Sequence, residues 1–244
     1  MATNQISRVT DTKVIPEPPT MTSIVRKFWM AVSGVIILTF VVGHMLGNLQ
    51  VFLGPDQINA YAQKLRAVPA LLWAVRVFFL IWALVHVVDG AVLWLRNRQS
   101  RPQTYVKQRF QEATLASRTM IWTGLAIFFF IVYHLLHYTL FVTNPEYAGL
   151  TLPDGHHNVY AMLVQGFQNP LISVVYILAI FFLAVHLTHS ISSFFQTFGW
   201  TRTELQPIFR GIAWTAAAII FIGYVSIPIG VLTGIIAPMA ERGF

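Results

Sequence analysis

The chain of 244 residues is 56% hydrophobic and only 10% charged, with a mean hydropathy of +0.63 and a formal net charge of +7. A soluble globular domain carries roughly 25% charged residues, so the composition describes an integral membrane protein of one domain with little soluble mass. There is no cysteine, which excludes a disulfide framework, C-x-x-C-H haem attachment, thiolate ligation and an iron–sulfur cluster held by this chain. G-x-G-x-x-G and G-x-x-x-x-G-K-[ST] motifs are absent as well, so a redox enzyme built on this chain keeps its flavin, clusters and substrate on other subunits. The positive charge argues against nucleic acid, because most basic residues flank hydrophobic segments, where membrane topology demands them.

Residues 1–22 are polar, contain Pro16, Pro18 and Pro19, and lack the apolar run and small-residue cleavage site of a secretory signal. They read as a soluble arm, either disordered or gripping a partner. The rest, 23–244, reads as a membrane domain of five hydrophobic stretches: helix I (28–53), helix II (70–95), helix III (119–142), helix IV (171–195) and helix V (209–236). Each is long enough to cross roughly 30 Å of hydrocarbon. Gly54-Pro55, Asn144-Pro145 and Asn169-Pro170 punctuate the ends. Pro228 and several glycines predict a kink in helix V.

Loop charge sets the orientation. Arg96, Arg98, Arg101, Lys107, Arg109 and Arg118 lie between helices II and III against one acid, Glu112. Arg8, Lys13, Arg26 and Lys27 precede helix I, Arg202 lies between IV and V, and the III–IV loop has no lysine or arginine. These place the N-terminus inside and the C-terminus outside; Lys64 and Arg66 in the I–II loop dissent and are outvoted. Trp29, Tyr61, Trp73, Trp94, Tyr147 and Trp200 read as interfacial belt residues.

Four histidines on four different helices lie at matched depth: His44, His86, His134 and His186. Helices I and III run outward, which sets His44 and His134 about 23 Å from the inner face. Helices II and IV run inward, which sets His86 and His186 about 24 Å from the outer face. For helices of roughly 36 Å the two levels differ by about 11 Å. Ionisable groups inside a span are expensive and ask for a function, and neutral imidazole is the commonest metal ligand. Opposed imidazoles at one level are the axial ligation of a b-type haem, so helices I–IV read as a bundle enclosing two stacked b haems. His137 and His189, each one turn beyond a nominated ligand, are the alternative ligands. As non-ligands they would bind a propionate or line a quinone pocket. His156 and His157 read as surface residues beside Asp154.

Gly43, Gly47, Gly90 and Gly124 near the histidines would let a porphyrin approach the backbone, though small residues also serve helix packing. Arg76 lies roughly level with the outer pair, a candidate for a haem propionate. Asp89, one turn beyond His86, would either serve quinone protonation or pair with a loop arginine. Ser33 and Asp89 mark a possible quinone position at the inner level; the outer level is the alternative.

The segments Met30-Ala31-Val32-Ser33-Gly34, Gly43-His44-Met45-Leu46-Gly47-Asn48 and Leu84-Val85-His86-Val87-Val88-Asp89-Gly90 carry a family resemblance. Thr123-Gly124 before His134, and His186 before Gly199-Trp200, complete the ordered set. Over residues 27–236 the chain resembles the cytochrome b subunit of succinate dehydrogenases and fumarate reductases, the five-helix, di-haem b558 membrane anchor. The resemblance implies His44 and His134 on a distal haem and His86 and His186 on a proximal one. It also implies a flavoprotein subunit with FAD, an iron–sulfur subunit, and a quinone (menaquinone or ubiquinone) as electron acceptor or donor. The implied setting is the respiratory complex II of the tricarboxylic acid cycle, in a bacterial cytoplasmic (inner) membrane. The chain itself would not act on succinate, but would contribute to the quinone site of the oxidoreductase.

Two departures stand out. Some fumarate reductases of this family carry a glutamate two residues before the helix IV ligand, and here that position is Ala184. They carry another in the loop after helix I, where this chain, aligned without gaps, has Arg66. Both tilt the reading toward succinate oxidation. Competing readings are a haem b anchor of a hydrogenase or formate dehydrogenase, a membrane di-iron oxygenase using His134-x-x-His137 and His186-x-x-His189, and a cofactor-free transporter.

Overall fold

The computed structural model describes residues 21–100 and 114–238. The first 20 residues of the polar arm, and Arg101, Lys107, Arg109 and Glu112 of the II–III loop, lie outside the described residues. The chain forms α1 (Ser23–Leu49), continued by a 3-10 turn (Gln50–Leu53), then α2 (Pro55–Arg66), α3 (Pro69–Gln99), α4 (Leu115–Tyr138), α5 (Val159–Gln168), α6 (Pro170–Thr197) and α7 (Gln206–Leu232). α1 with its turn, α3, α4, α6 and α7 are long and apolar enough to cross a membrane. These are the predicted helices I to V, and the protein is an all-α integral membrane protein.

Local chemistry sets the ends. The Thr22 hydroxyl accepts from the Val25 N–H at 3.3 Å and starts α1 five residues before the predicted start. Thr114 does the same for α4 through Ser117 N–H at 3.1 Å. Asn169 caps α6 by accepting from Leu171 and Ile172, with Pro170 as first helical residue. α4 ends four residues before the predicted boundary of helix III. The Thr139 and Leu140 N–H groups both return to the Leu135 carbonyl, and Phe141 adopts φ 54°. An apolar run therefore continues past a turned backbone. α7 remains helical through Pro228 and stops at Gly234, φ 77°.

α2 and α5 were not anticipated. They close the end of the bundle formed by the C-termini of α1, α4 and α7. α5 is nearly engulfed: Tyr160, Leu163, Val164 and Phe167 join Val51, Ile58, Tyr176, Ile227, Val231 and Ile236 in one core. Buried polar groups stitch the two short helices together. The Asn59 amide donates to Asn158 Oδ1 at 3.2 Å, the Tyr160 N–H donates to Asn59 Oδ1 at 3.1 Å, and the Tyr160 hydroxyl donates to the Ala237 carbonyl at 2.8 Å. Tyr147, expected in an interfacial belt, is 3% exposed and stacks on Tyr138; the α4–α6 connection folds over it. His157 is half-buried against Met162 rather than free at the surface.

Gly166 on α5 admits the Tyr138 phenol, whose Cζ lies 3.0 Å from where a Cβ would stand. Gly166 is buried and Tyr138 partly so, and Gly166→Ala overpacks this cap. The expected cost is about 1–3 kcal/mol, read as a lower unfolding temperature in detergent; an unchanged temperature would show that Tyr138 yields freely.

Laterally, α1 packs along α3, and α4 along α6, which in turn packs along α7; α3 and α4 meet at few positions. Large apolar side chains such as Leu84, Trp122, Phe129, Leu171 and Ile222 face outward, as a lipid-facing surface requires.

Candidate functional site

The structure brings the four nominated imidazoles together in two pairs. His44 of α1 and His134 of α4 have ring centroids 5.8 Å apart at 84°. His86 of α3 and His186 of α6 lie 6.3 Å apart at 66°. Each pair takes one ring from the α1–α3 side and one from the α4–α6 side. Two imidazoles ligating one metal atom from opposite faces hold their centroids about 6 Å apart, given a metal–nitrogen bond of roughly 2 Å.

The ring nitrogens are sorted by their partners. His86 Nδ1 lies 3.2 Å from both the Ser33 hydroxyl and the Met30 carbonyl. Ser33 itself donates to the Met30 carbonyl at 3.0 Å. His186 Nδ1 lies 3.1 Å from the Thr123 hydroxyl, which donates to the carbonyls of Thr119 and Met120. His134 Nδ1 lies 3.2 Å from the Tyr176 hydroxyl. Because Ser33 and Thr123 already give their protons to carbonyls, His86 and His186 donate from Nδ1 and leave Nε2 unprotonated, the form in which an imidazole can ligate a metal. His44 is steered by packing instead, stacked on Phe40 at 5.3 Å.

The hydroxyl–glycine pairs repeat. Ser33-Gly34 precedes His44 by the same spacing as Thr123-Gly124 precedes His134. In each case the hydroxyl meets the histidine of the neighbouring helix, and the glycine makes room for it. A Cβ at Gly34 would stand 3.4 Å from His86 Cε1, and one at Gly124 would stand 3.5 Å from His186 Cε1. That shared spacing is the sequence signal for both hydroxyls. Gly47 and Gly90 serve helix packing instead, against Tyr61 and Met30.

His137 does not face His44. It is fully buried and turns Nδ1 to the Tyr176 hydroxyl at 2.9 Å. His189 is half-buried and joins no ring pair among the described residues. Asp89 pairs with Arg26 at 2.6 Å, the one ion pair among the described residues. Arg76 lies over Trp73 at 5.1 Å and lines a cleft with His44, Asn48, Tyr61 and Arg66. Burial, then the nearby Arg76 guanidinium, hold Arg66 below its ordinary pKa. Two cations without a carboxylate partner among the described residues suit an anionic group in this cleft. No group of three or more His, Asp or Glu among the described residues is placed to hold a metal ion.

A family model described as the succinate dehydrogenase/fumarate reductase transmembrane subunit matches residues 95–225, more than half of the chain. No curated protein and no solved structure matches it.

Proposed function

This chain belongs to the succinate dehydrogenase/fumarate reductase transmembrane subunit family, and on that premise we propose that it is the membrane anchor and di-haem cytochrome b subunit of a succinate:quinone oxidoreductase. Membership implies a complex with catalytic subunits. The proposed ones are a flavoprotein with FAD and an iron–sulfur subunit, and the proposed membrane is the bacterial cytoplasmic one. The observation that carries the reading is the pair of opposed imidazole couples, three of whose four rings have Nδ1 committed to a hydroxyl.

His86 and His186 would hold the inner haem, with Ser33 and Thr123 orienting them. His44 and His134 would hold the outer one, with Arg66 and Arg76 meeting its propionates. Bound there, b-type haems supply one-electron carriers between the iron–sulfur subunit and membrane quinone. Arg26, Lys27, Arg96, Arg98 and Arg118 gather at the end where α1 and α4 begin and α3 ends. The positive-inside rule puts that end in the cytoplasm, so the partners would dock there. A quinone at the inner level would lie beside Ser33 and Asp89, whose side chains are already engaged by His86 and Arg26.

The test is a redox spectrum of the purified complex with its haem content and partner masses. Two haems per chain, a sharp reduced alpha band and co-purifying flavin are expected. Colourless material would overturn the reading, and a hydrogenase or formate dehydrogenase partner would redirect it.

A further inference from the structure

We propose that Tyr176 and His137 form a hydrogen-bonded positioning pair for His134, distinguishing the outer imidazole couple from the inner one; this rests on reading His134 as a ligand. The Tyr176 hydroxyl of α6 sits between two α4 imidazoles, 3.2 Å from His134 Nδ1 and 2.9 Å from His137 Nδ1. A hydroxyl has one proton to give and lone pairs to receive. His134, ligating through Nε2, carries its proton on Nδ1 and donates it to Tyr176. Tyr176 therefore gives its only proton to His137 Nδ1, and His137 keeps its own on Nε2. That nitrogen is buried with no hydrogen-bond partner among the described residues, so no described group at the far end reverses the order.

The three groups lie among packed aromatic rings. Tyr176 is 4% exposed and His137 is fully buried. Phe130 and Phe167 meet the Tyr176 ring edge-on at 4.9 and 5.1 Å, and Tyr133 stacks on His137 at 5.4 Å. In such a medium consecutive hydrogen bonds polarise one another. Donation to His137 makes the Tyr176 oxygen a better acceptor for the His134 N–H, and this raises the basicity of His134 Nε2. The inner couple is built differently. Ser33 and Thr123 pass their protons to main-chain carbonyls, and no second imidazole follows. His137 thus has a task of its own.

The experiment is a reductive titration of the whole complex carrying Tyr176→Phe, with the outer chromophore identified as the one lost in His44→Ala. Phenylalanine keeps the ring packing and removes the hydroxyl. Both chromophores should be retained. The reduction equilibrium of the outer one should move roughly threefold to tenfold toward the reduced form, tenfold being about 59 mV for a one-electron couple. The inner one should not move. His137→Leu should shift the outer couple in the same direction by less. His137→Asn, whose amide oxygen can replace Nδ1 as acceptor, should restore it. Wild-type potentials in Tyr176→Phe, an equal shift of both chromophores, or identical behaviour of His137→Leu and His137→Asn would each overturn the proposal. A wild-type complex without haem would instead overturn the functional reading on which it rests.

Discussion

On the proposed reading, His86→Ala and His186→Ala should each abolish the same b-type chromophore and leave the other intact, while His44→Ala and His134→Ala should abolish the second. The grouping follows from the ring pairs, which join α3 to α6 at one level and α1 to α4 at the other. Neighbours that merely orient a ligand are worth 10–100-fold in metal affinity, so loss of an axial ring should cost on the order of 100-fold or more. Haem content, difference spectra and quinone reduction by succinate measure this together. His137→Ala and His189→Ala retain both bands, since neither ring stands opposite another couple's member. Any of the four ligand variants that kept both bands would remove that ring from the site.

Asp89→Ala destabilises the bundle by about 3–5 kcal/mol, the range for removing one partner of a buried ion pair. Asp89 is 6% exposed and accepts from Arg26 Nη1 at 2.6 Å, while Arg26 Nε has no partner among the described residues. Removing the carboxylate strands the guanidinium between α1 and α3, one turn from the Met30 carbonyl that holds His86. Replacing both, as Arg26→Met with Asp89→Leu, removes the stranded charge and should recover most of the loss. Thermal unfolding of the three proteins (wild type, Asp89→Ala and the double variant) in one detergent decides it. If Asp89→Ala unfolds at the wild-type temperature, the pair contributes nothing to the fold.

The spans and the histidine grouping were legible because lipid enforces a simple rule. A crossing helix needs about 20 apolar residues and rises by 1.5 Å per residue, so depth can be counted along the chain. Rotation about the helix axis cannot be counted in this way. Tyr176 on α6 meets His134 and His137 on α4 only because those two helices pack in one register, and its sequence position marks no ligand. α2 and α5 were hidden for another reason. They are too short to span, and Gly54-Pro55 and Asn158 resemble loop punctuation until the Asn59–Asn158 contact joins them. Tyr147 was read as a membrane-surface residue from its place near a span end, whereas the connection after α4 turns inward at Phe141 and buries it.

The division of the bundle into an α1–α3 side and an α4–α6 side bears on biogenesis. Every iron would draw one imidazole from each side, so each porphyrin would act as a cross-link between halves that join through α1 and α7 but touch sparingly where α3 passes α4. Cells starved of haem should therefore accumulate a splayed, protease-sensitive chain. Cofactor insertion would then serve as the checkpoint that licenses docking of the soluble subunits.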